Sequence, residues 1–441
     1  MNLYSQFIKL IKEDPKLLIT TIDDAKDYAV VHGNVLRLKT SKNKSDIVQH
    51  APFMLLPSPF PKILFVQACN VQILMNKLYY RISFDRHFLI DTLKHVIEGD
   101  EFTRKLFNIY NSIMEEGINQ PISLLLQRAD YFCHVNSKSG EYELKQIEVN
   151  NIAAGMASLS EITSGMHRYL LRNLKMNYCD DDLPLNESRK LLGKGIGEAW
   201  KMYNKKDSYV LHLIENVNQN QLDFRHIQYA TDLYTNYECK TIRIPLSECK
   251  DRLKLGIDKE LIMDNKYEIG VVYFRTGYSP ENYLNEDHWR SRLLIERSKA
   301  IKSPWIGLQL ANTKKVQQVL LNDGVLERFL DNHEECNRVR DVFAKMWAFD
   351  DERMIKEMKI KIKNNPELYV LKEQLEGGLG NYFDEEMIKK INESDVTTIK
   401  TFVLMEKLNP LRSRNFIIIS GKDVEECDVV SELGVMVMDT F

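Results

Sequence analysis

The chain has 441 residues, with 60 Lys and Arg against 63 Asp and Glu, a net charge of −3, and 44% hydrophobic residues. This composition is typical of a folded globular protein, and the length predicts two or three domains. The near-neutral charge excludes the basic footprint of a general nucleic-acid binder. No apolar run approaches the roughly 18 residues that a membrane helix needs. The seven cysteines lack CxxC spacing, which favours reduced thiols. We therefore expect a cytoplasmic protein with no nucleic-acid or membrane partner.

The predicted elements of residues 1–207 are mainly helical. Apolar residues at helical spacing between 88 and 114 predict two helices joined near EGDEF. The segment ELKQIEVN, residues 143–150, alternates as a strand does, and a helical pattern resumes from 159 to 171. The glycines of GKGIG, at 193–197, lack the spacing and the preceding strand of a dinucleotide fingerprint.

Between 208 and 312 the pattern changes to alternating strands and helices. SYVLHLI, CKTIRI and GVVYFR read as strands, and helical segments follow the first and the last, so we expect a separate open α/β domain with parallel pairing. In residues 313–441, TKKVQQVLL and the stretch 342–347 look helical, whereas ELYVLKE, TFVLMEKL and NFIIIS look like strands of a second sheet. The expected fold class is α/β (α+β).

One segment suggests phosphate and metal chemistry. In LKEQLEGGLGNYFDEE a predicted strand ends in Lys372, and Glu376 and a cluster of glycines follow. Glycine backbone amides can close on phosphate oxygens, lysine supplies a cation, and glutamate is an oxygen ligand suited to magnesium. A glycine-rich hairpin turn explains the same segment equally well.

Three further segments carry weaker signals. Glu148 and Asn150 lie two apart on a predicted strand, so both project from one face, and their oxygens suit a hard cation or simply a solvated face. The strand VVYFRTGY delivers Arg275 and Tyr278 to its carboxyl end, the edge where open α/β sheets bind ligands, or ends in an ordinary loop. Lys314 begins a predicted helix in NTKKVQQ, where anions are favoured, or belongs to an exposed basic turn. Together they indicate an ATP–magnesium site beside a site for a small acidic substrate.

These segments, in this order, resemble eukaryotic-type glutathione synthetase. The resemblance rests on PSPFPKILFVQACNVQILMNKL, SLLLQRADYF, LKQIEVNNI, VVYFRTGYSPENY, WRSRLLIERSKAIKSP, NTKKVQQVL, YVLKEQLEGG, VLMEKL and SELG, and covers roughly residues 55–435. It implies an ATP-grasp ligase, normally a homodimer, that joins γ-glutamylcysteine to glycine through an acyl phosphate, with ATP and Mg²⁺. It also implies that 208–312 is an inserted substrate domain between ATP-grasp parts at 1–207 and 313–441.

The resemblance further implies roles for particular residues. It implies magnesium ligands at Glu148, Asn150 and Glu376, and catalytic roles for Arg128, Lys372 and Glu376. The nucleotide contacts that it implies are Glu148, Lys314, Lys372, Glu376, Gly377, Gly378, Asn381, Phe383, Met405, Glu406, Lys407, Leu408 and Glu432. The dipeptide contacts that it implies are Arg128, Ala153, Gly155, Asn220, Phe224, Arg275 and Tyr278.

Several of these positions depart from the family pattern. Family serines fall at Ala153 and Gly155, a family glutamine falls at Phe224, which has no side-chain hydrogen bond to offer, and a nucleotide-facing tyrosine falls at Phe383. The family's segment with a substrate arginine, an ATP lysine and a glycine-rich lid is not found after SELGVMVMDTF. Two alternatives therefore stay open: a homologue that binds nucleotide without full catalysis, and a ligase for a related γ-glutamyl dipeptide or another amine acceptor.

Overall fold

The computed structural model describes residues 3–375 and 380–441 and combines helices with five sheets. This mixed architecture confirms the expected α/β fold class. The α-helices are α1 Leu3–Glu13, α2 Lys16–Val31, α3 Lys62–Phe84, α4 Arg86–Gly99, α5 Glu101–Glu116, α6 Ala157–Asn173, α7 Ser188–Tyr203, α8 Gln221–Tyr234, α9 Cys249–Arg252, α10 Glu286–Arg297, α11 Ile306–Ala311, α12 Lys314–Val319, α13 Leu326–Phe329, α14 His333–Val342, α15 Glu352–Asn364, α16 Asp384–Glu393 and α17 Val396–Ile399. The strands are β1 Val35–Arg37, β2 Val48–His50, β3 Phe53–Met54, β4 Leu124–Val135, β5 Tyr142–Asn150, β6 Tyr209–Ile214, β7 Lys240–Pro245, β8 Leu253–Leu255, β9 Leu261–Met263, β10 Tyr267–Phe274, β11 Ile301–Ser303, β12 Met346–Ala348, β13 Tyr369–Lys372, β14 Asn381–Tyr382, β15 Val403–Glu406, β16 Arg412–Ile418, β17 Glu425–Val430 and β18 Glu432–Thr440.

The antiparallel sheet β18-β4-β5 lies between helices. Leu124 and Leu126 of β4 pack with residues of α7, and the alternate residues, such as Leu125 and Ala129, join the core formed with α3, α4 and α5. Because side chains alternate along a strand, Arg128 and Asp130 continue the face of Leu124 and Leu126. The hydrophobic contacts therefore fix which face of the sheet carries the charged residues.

The second large sheet has the order β7-β6-β10-β9-β8, with β11 also paired to β10. β7, β6, β10 and β11 are parallel, as the alternating pattern predicts, and β9 and β8 add an antiparallel edge. The backbone amide of Arg275 donates to the carbonyl of Leu213 at 2.7 Å, so the ends of β10 and β6 remain adjacent.

The carboxyl-terminal strands correct two expectations. The stretch 342–347 is not helical: α14 ends at Val342 and β12 begins at Met346. β13 and β15 do share a sheet, of order β12-β15-β13-β14, but β16, which contains NFII of NFIIIS, pairs with β17 and β3 instead. Short apolar runs have no clear periodicity, and the pairing partner of a strand is set by tertiary packing, so the local pattern could not settle either point.

The glycines of GKGIG lie inside α7 and serve packing. A Cβ on Gly193 would lie 2.6 Å from the Cβ of Ala230 and 2.8 Å from its carbonyl carbon, and one on Gly197 would lie 2.7 Å from the ring of Tyr234. The absent side chains let α8 approach α7 closely.

Among the described helices, none is long and apolar enough to cross a membrane.

Candidate active site

A cluster of charged side chains occupies the face of β4 and β5 described above. Arg128 donates to both carboxylate oxygens of Asp130, each at 2.7 Å. The Asn150 side-chain amide donates to Asp130 at 3.0 Å and to Glu148 at 3.1 Å. Glu148 and Asn150 therefore share one face, as the strand pattern predicts.

Two buried lysines reach the same cluster from other elements. Lys314, the first residue of α12, places its Nζ 4.0 Å from Oε2 of Glu148, and it also donates to the carbonyl of Leu375. Lys372, the last residue of β13, donates to the carbonyl of Ile147 at 3.1 Å. The structure thus brings α12 and β13 against β5, with both ammonium groups removed from bulk water.

These neighbours set the charge of the carboxyl groups. Burial raises the pKa of Glu148, but the positive charges of Lys314, Lys372 and Arg128 and the hydrogen bond from Asn150 together hold it below its ordinary value. Burial raises the pKa of Asp130, although Arg128 opposes the change. Burial also raises the pKa of Glu432, and the charges of Asp130 and Glu148 add to the effect. Glu148 is therefore the carboxylate held most firmly ionised.

The glycine-rich segment is described only up to its borders. Glu376, Gly377 and Gly378 lie outside the described residues, so the structure does not place the third expected magnesium ligand. β13 and β14 pair antiparallel on either side, with Lys372 opposite Asn381. Gly380 has φ +69°, and a Cβ there would lie 2.8 Å from Glu373 Cβ, so this turn needs glycine.

The residues expected around the nucleotide lie on and after β15. Met405 is buried between its strand partners Val370 and Met346. The side chain of Glu406 accepts from the backbone amide of Lys345 at 2.7 Å, and Leu408 follows two residues later. The ammonium group of Lys407 lies 5.6 Å from the ring centre of the partly exposed Phe383.

A second group of expected residues surrounds Arg275. Its guanidinium stacks on the ring of Phe224, 3.6 Å from the ring centre, and donates to the carbonyl of Ala154 at 2.7 Å. A Cβ on Gly155 would lie 3.6 Å from its second terminal nitrogen, so a small residue leaves room there. Tyr278 donates its hydroxyl to Glu215 at 2.5 Å.

The segment 153–156 joins the two groups. Arg128 donates to the carbonyl of Gly155 at 3.2 Å, next to the carbonyl that accepts from Arg275. The buried carboxylate of Asp223 accepts from the backbone amides of Met156 at 2.8 Å and Ser158 at 2.9 Å. Asp223 thus holds this segment and the start of α6. Asn220 immediately precedes α8, which carries Phe224.

Sequence reasoning missed three carboxylates of this region. Asp130, in QRADY, lies on the same strand face as Arg128, so its alternation was a usable signal. Glu215 directly follows the buried strand β6 at the carboxyl end of the sheet, just as Arg275 directly follows β10. Asp223 gave no signal, because its helix-capping role depends on the distant α6.

The family described as eukaryotic glutathione synthase, ATP binding domain, matches residues 15–439. The chain is therefore an ATP-binding protein with an α/β fold. Glutathione synthetase of Xenopus laevis is 38% identical over 427 residues, covering 96% of this chain and 89% of the relative, and the chloroplastic glutathione synthetase of Arabidopsis thaliana is 32% identical over 435 residues, covering 97% of this chain and 78% of the relative. A solved structure of a glutathione synthetase-like effector from Globodera pallida, in apo form, superposes with a TM-score of 0.78 at 28% identity, covering 96% of this chain and 89% of that one. The chain belongs to the eukaryotic glutathione synthetase family.

Proposed function

We propose that this protein is an ATP-dependent ligase that joins γ-glutamylcysteine to glycine. The observation that carries the proposal is the buried juxtaposition of Lys314 and Lys372 with Glu148. The names of its relatives at 32–38% identity support the same reaction. Charge on a transferring phosphoryl group is met by cations and metal rather than by a protein nucleophile, and this site is rich in cations.

The donor set fits a nucleotide with a divalent cation. Buried ammonium groups suit phosphate oxygens, and an ionised carboxylate beside a carboxamide suits Mg²⁺. Among the described residues no three His, Cys, Asp or Glu side chains form a metal cage, so the site relies on Glu148, Asn150 and oxygens from elsewhere. In this proposal Glu376 adds a ligand, and Gly377 and Gly378 cover the phosphates. Bound Mg²⁺ would neutralise phosphate charge during transfer.

The remaining expected residues form the two ends of the proposed site. Lys314 and Lys372 hold phosphates, and Arg128 and Arg275 hold carboxylates of the dipeptide. Arg275 can pair bidentately with a carboxylate, whereas Arg128 already pairs so with Asp130 and would use its remaining N–H groups. The other proposed nucleotide contacts are Asn381, Phe383, Met405, Glu406, Lys407, Leu408 and Glu432. The other proposed dipeptide contacts are Ala153, Gly155, Asn220, Phe224 and Tyr278.

The test is release of ADP by purified protein with ATP, Mg²⁺, γ-glutamylcysteine and glycine. We expect release that requires both the dipeptide and glycine, and a loss of at least 100-fold in Lys372→Met, because a buried phosphate-binding cation is removed. Lys138→Met, on the exposed turn between β4 and β5, is the matched control and should keep full activity. ADP release that ignores the dipeptide would contradict the proposal.

A second candidate function is nucleotide binding without ligation. The supporting observation concerns the residues near Arg275. Phe224, Ala153 and Gly155 have no side-chain hydrogen-bond donor to offer a dipeptide. Binding of ATP without ADP release in the assay above would select this function. Turnover with a different amine or γ-glutamyl dipeptide would select a related ligase.

We further propose a cytoplasmic homodimer. All seven cysteines are free, as suits a reducing compartment.

The adjoining elements α2, β2 and α8 expose large apolar side chains that a second copy could cover: Val30, Val31, Val48, Tyr229 and Leu233. Sedimentation equilibrium at micromolar concentration tests the dimer, and a monomer there would contradict it.

A further inference from the structure

A chain of buried side-chain amides runs from α3 to the junction between α11 and α12. Gln72 of α3 donates to Gln127 of β4 at 2.7 Å, and Gln127 donates to Asn151, directly after β5, at 2.7 Å. The backbone amide of Asn151 then donates to the side-chain oxygen of Asn312 at 2.7 Å. All four residues are at most 2% exposed. Hydrogen bonds therefore connect a helix, the sheet and the junction through the interior.

A second hydrogen bond joins Asn151 to the same junction. Its side-chain amide donates to the carbonyl of Leu308 at 2.9 Å. Leu308 lies in the last turn of α11, where backbone carbonyls lack the partners that a longer helix would supply. Asn151 thus contacts the end of α11 with its side chain and the residue after α11 with its backbone.

These contacts lie beside the two charged residues of the proposed phosphate site. Asn312 is two residues before Lys314, and Asn151 is three residues after Glu148, whose Oε2 lies 4.0 Å from the Lys314 Nζ. The helices α11 and α12 have six residues each, which is too short for stability without tertiary contacts. The position of Lys314 relative to β5 therefore depends on how the junction is held.

Stability alone does not account for amides at these positions. A buried amide is costly unless it is hydrogen-bonded, and replacing both partners of a hydrogen bond by apolar groups of the same shape can be nearly neutral. Hydrogen bonds also fix the distance and direction between two segments, and a fully bonded network makes a core rigid. In an active site a displacement of about 1 Å can cost about 100-fold in rate. A buried amide chain is therefore suited to alignment.

We propose that Asn151 and Asn312 are positioning residues that set the spacing between Lys314 and Glu148 for Mg²⁺–ATP. This inference rests on the proposed function, which assigns phosphate to Lys314 and the cation to Glu148. The two asparagines act through the backbone, by holding the start of α12 against the end of β5. When the hydrogen bond between them is lost, Lys314 no longer faces the carboxylate at the required distance, and the nucleotide binds more weakly.

The test is a double-mutant cycle, with Mg²⁺–ATP binding measured by titration calorimetry. We expect Asn312→Ala to weaken binding by about 10- to 100-fold, which corresponds to the loss of one charged hydrogen-bonded contact. In the Lys314→Met background the same change should weaken binding by less than about 3-fold, because there is no ammonium group left to position.

Asn415→Ala is the matched control. Asn415 is 1% exposed, and its side-chain oxygen also accepts from a backbone amide, that of Leu56, at 3.2 Å. It belongs to β16, in a sheet that contributes none of the proposed site residues. Both alanine variants leave a buried backbone amide without its acceptor, so both should lower Tm. Asn415→Ala should nevertheless bind Mg²⁺–ATP as the wild type does.

The other outcomes separate this inference from the proposed function. If Asn312→Ala lowers Tm but keeps wild-type affinity, or weakens binding equally in both backgrounds, the inference is wrong. Failure of the wild type to bind Mg²⁺–ATP overturns the proposed function instead. Full affinity in Lys314→Met overturns the phosphate role of Lys314 and this inference with it. If Asn312→Ala does not fold, Asn151→Ala, which removes the hydrogen bond to Leu308, takes its place in the cycle with the same expected results.

Discussion

His212 lies in the middle of β6 with no solvent exposure, and its ring meets Tyr273 edge to face. Neither of its ring nitrogens has a hydrogen-bond partner in the structure. Burial, with the positive charges of Arg243 and Arg275, lowers the pKa of His212 to about 3. The native protein therefore holds this histidine neutral, whereas the unfolded chain protonates it near pH 6.5.

This histidine makes the fold sensitive to acid. Because its pKa is depressed in the native state, its contribution is complete above pH 6.5 and is lost as the pH falls toward 3. We expect a loss of about 2 kcal/mol in unfolding free energy between pH 7 and pH 5 from this residue. In urea unfolding, the decrease in unfolding free energy from pH 7 to pH 5 should be about 2 kcal/mol smaller for His212→Leu than for the wild type. His87→Leu, at an exposed position, should behave as the wild type, and equal pH dependence in all three proteins would refute the assignment.

The sequence predicted which residues share a face of one strand. It did not predict as well which residues of different strands lie next to each other. Strand alternation alone put Glu148 and Asn150 on one face. Asp130 lies opposite Glu148 only because β4 and β5 pair in this register, which no local pattern displays. Glu215 was missed because its hydrogen-bond donor Tyr278 follows a different strand, β10.

The contact of α7 with α8 makes a prediction for an element. Gly193→Ala raises intrinsic helix propensity by about 1 kcal/mol, but its Cβ would meet the backbone of Ala230 at 2.8 Å. Since backbone cannot yield as a side chain does, we expect a net loss of about 1–3 kcal/mol in unfolding free energy. Gly195→Ala is the matched control: its closest contacts, at 3.1 Å, are side-chain atoms of Leu126 and Met438. Chemical denaturation should rank Gly193→Ala below Gly195→Ala, and the reverse order would contradict this packing.

Element types were predictable where the pattern was long and periodic. The three strands and two helices predicted in 208–312 appear where the pattern placed them, since parallel strands buried on both faces read as apolar runs. The short elements α9, β8, β9, β11 and α11 of that range were not predicted. The prediction of a helix over 342–347 was wrong because α14 ends and β12 begins within four residues. The separation of β16 from the β13–β15 sheet depends on β3, almost at the other end of the chain.

At the scale of the whole molecule, we expect the free energy of unfolding to increase when a ligand binds the proposed site. The lysines on α12 and β13 and the carboxylate on β5 come from distant parts of the chain, so a ligand that joins them binds only the native state. At about 100 times its dissociation constant, Mg²⁺–ATP should stabilise the fold by about 2.7 kcal/mol and raise Tm by several degrees. Scanning calorimetry of Glu148→Gln should show most of this shift lost. Glu141→Gln, exposed in the turn directly before β5, should keep the shift, and a full shift in Glu148→Gln would contradict the assignment.

The pairing of β18 with β4 has a consequence for synthesis of the protein. Thr440 lies opposite Leu124, so more than three hundred residues separate the partners in the chain. At about 5–20 residues per second, a ribosome adds that length in roughly 15–60 s, during which the free edge of β4 has no β18 to cover it. Open strand edges invite pairing with foreign chains. The nascent polypeptide therefore passes through an interval in which chaperones would be of most benefit to it.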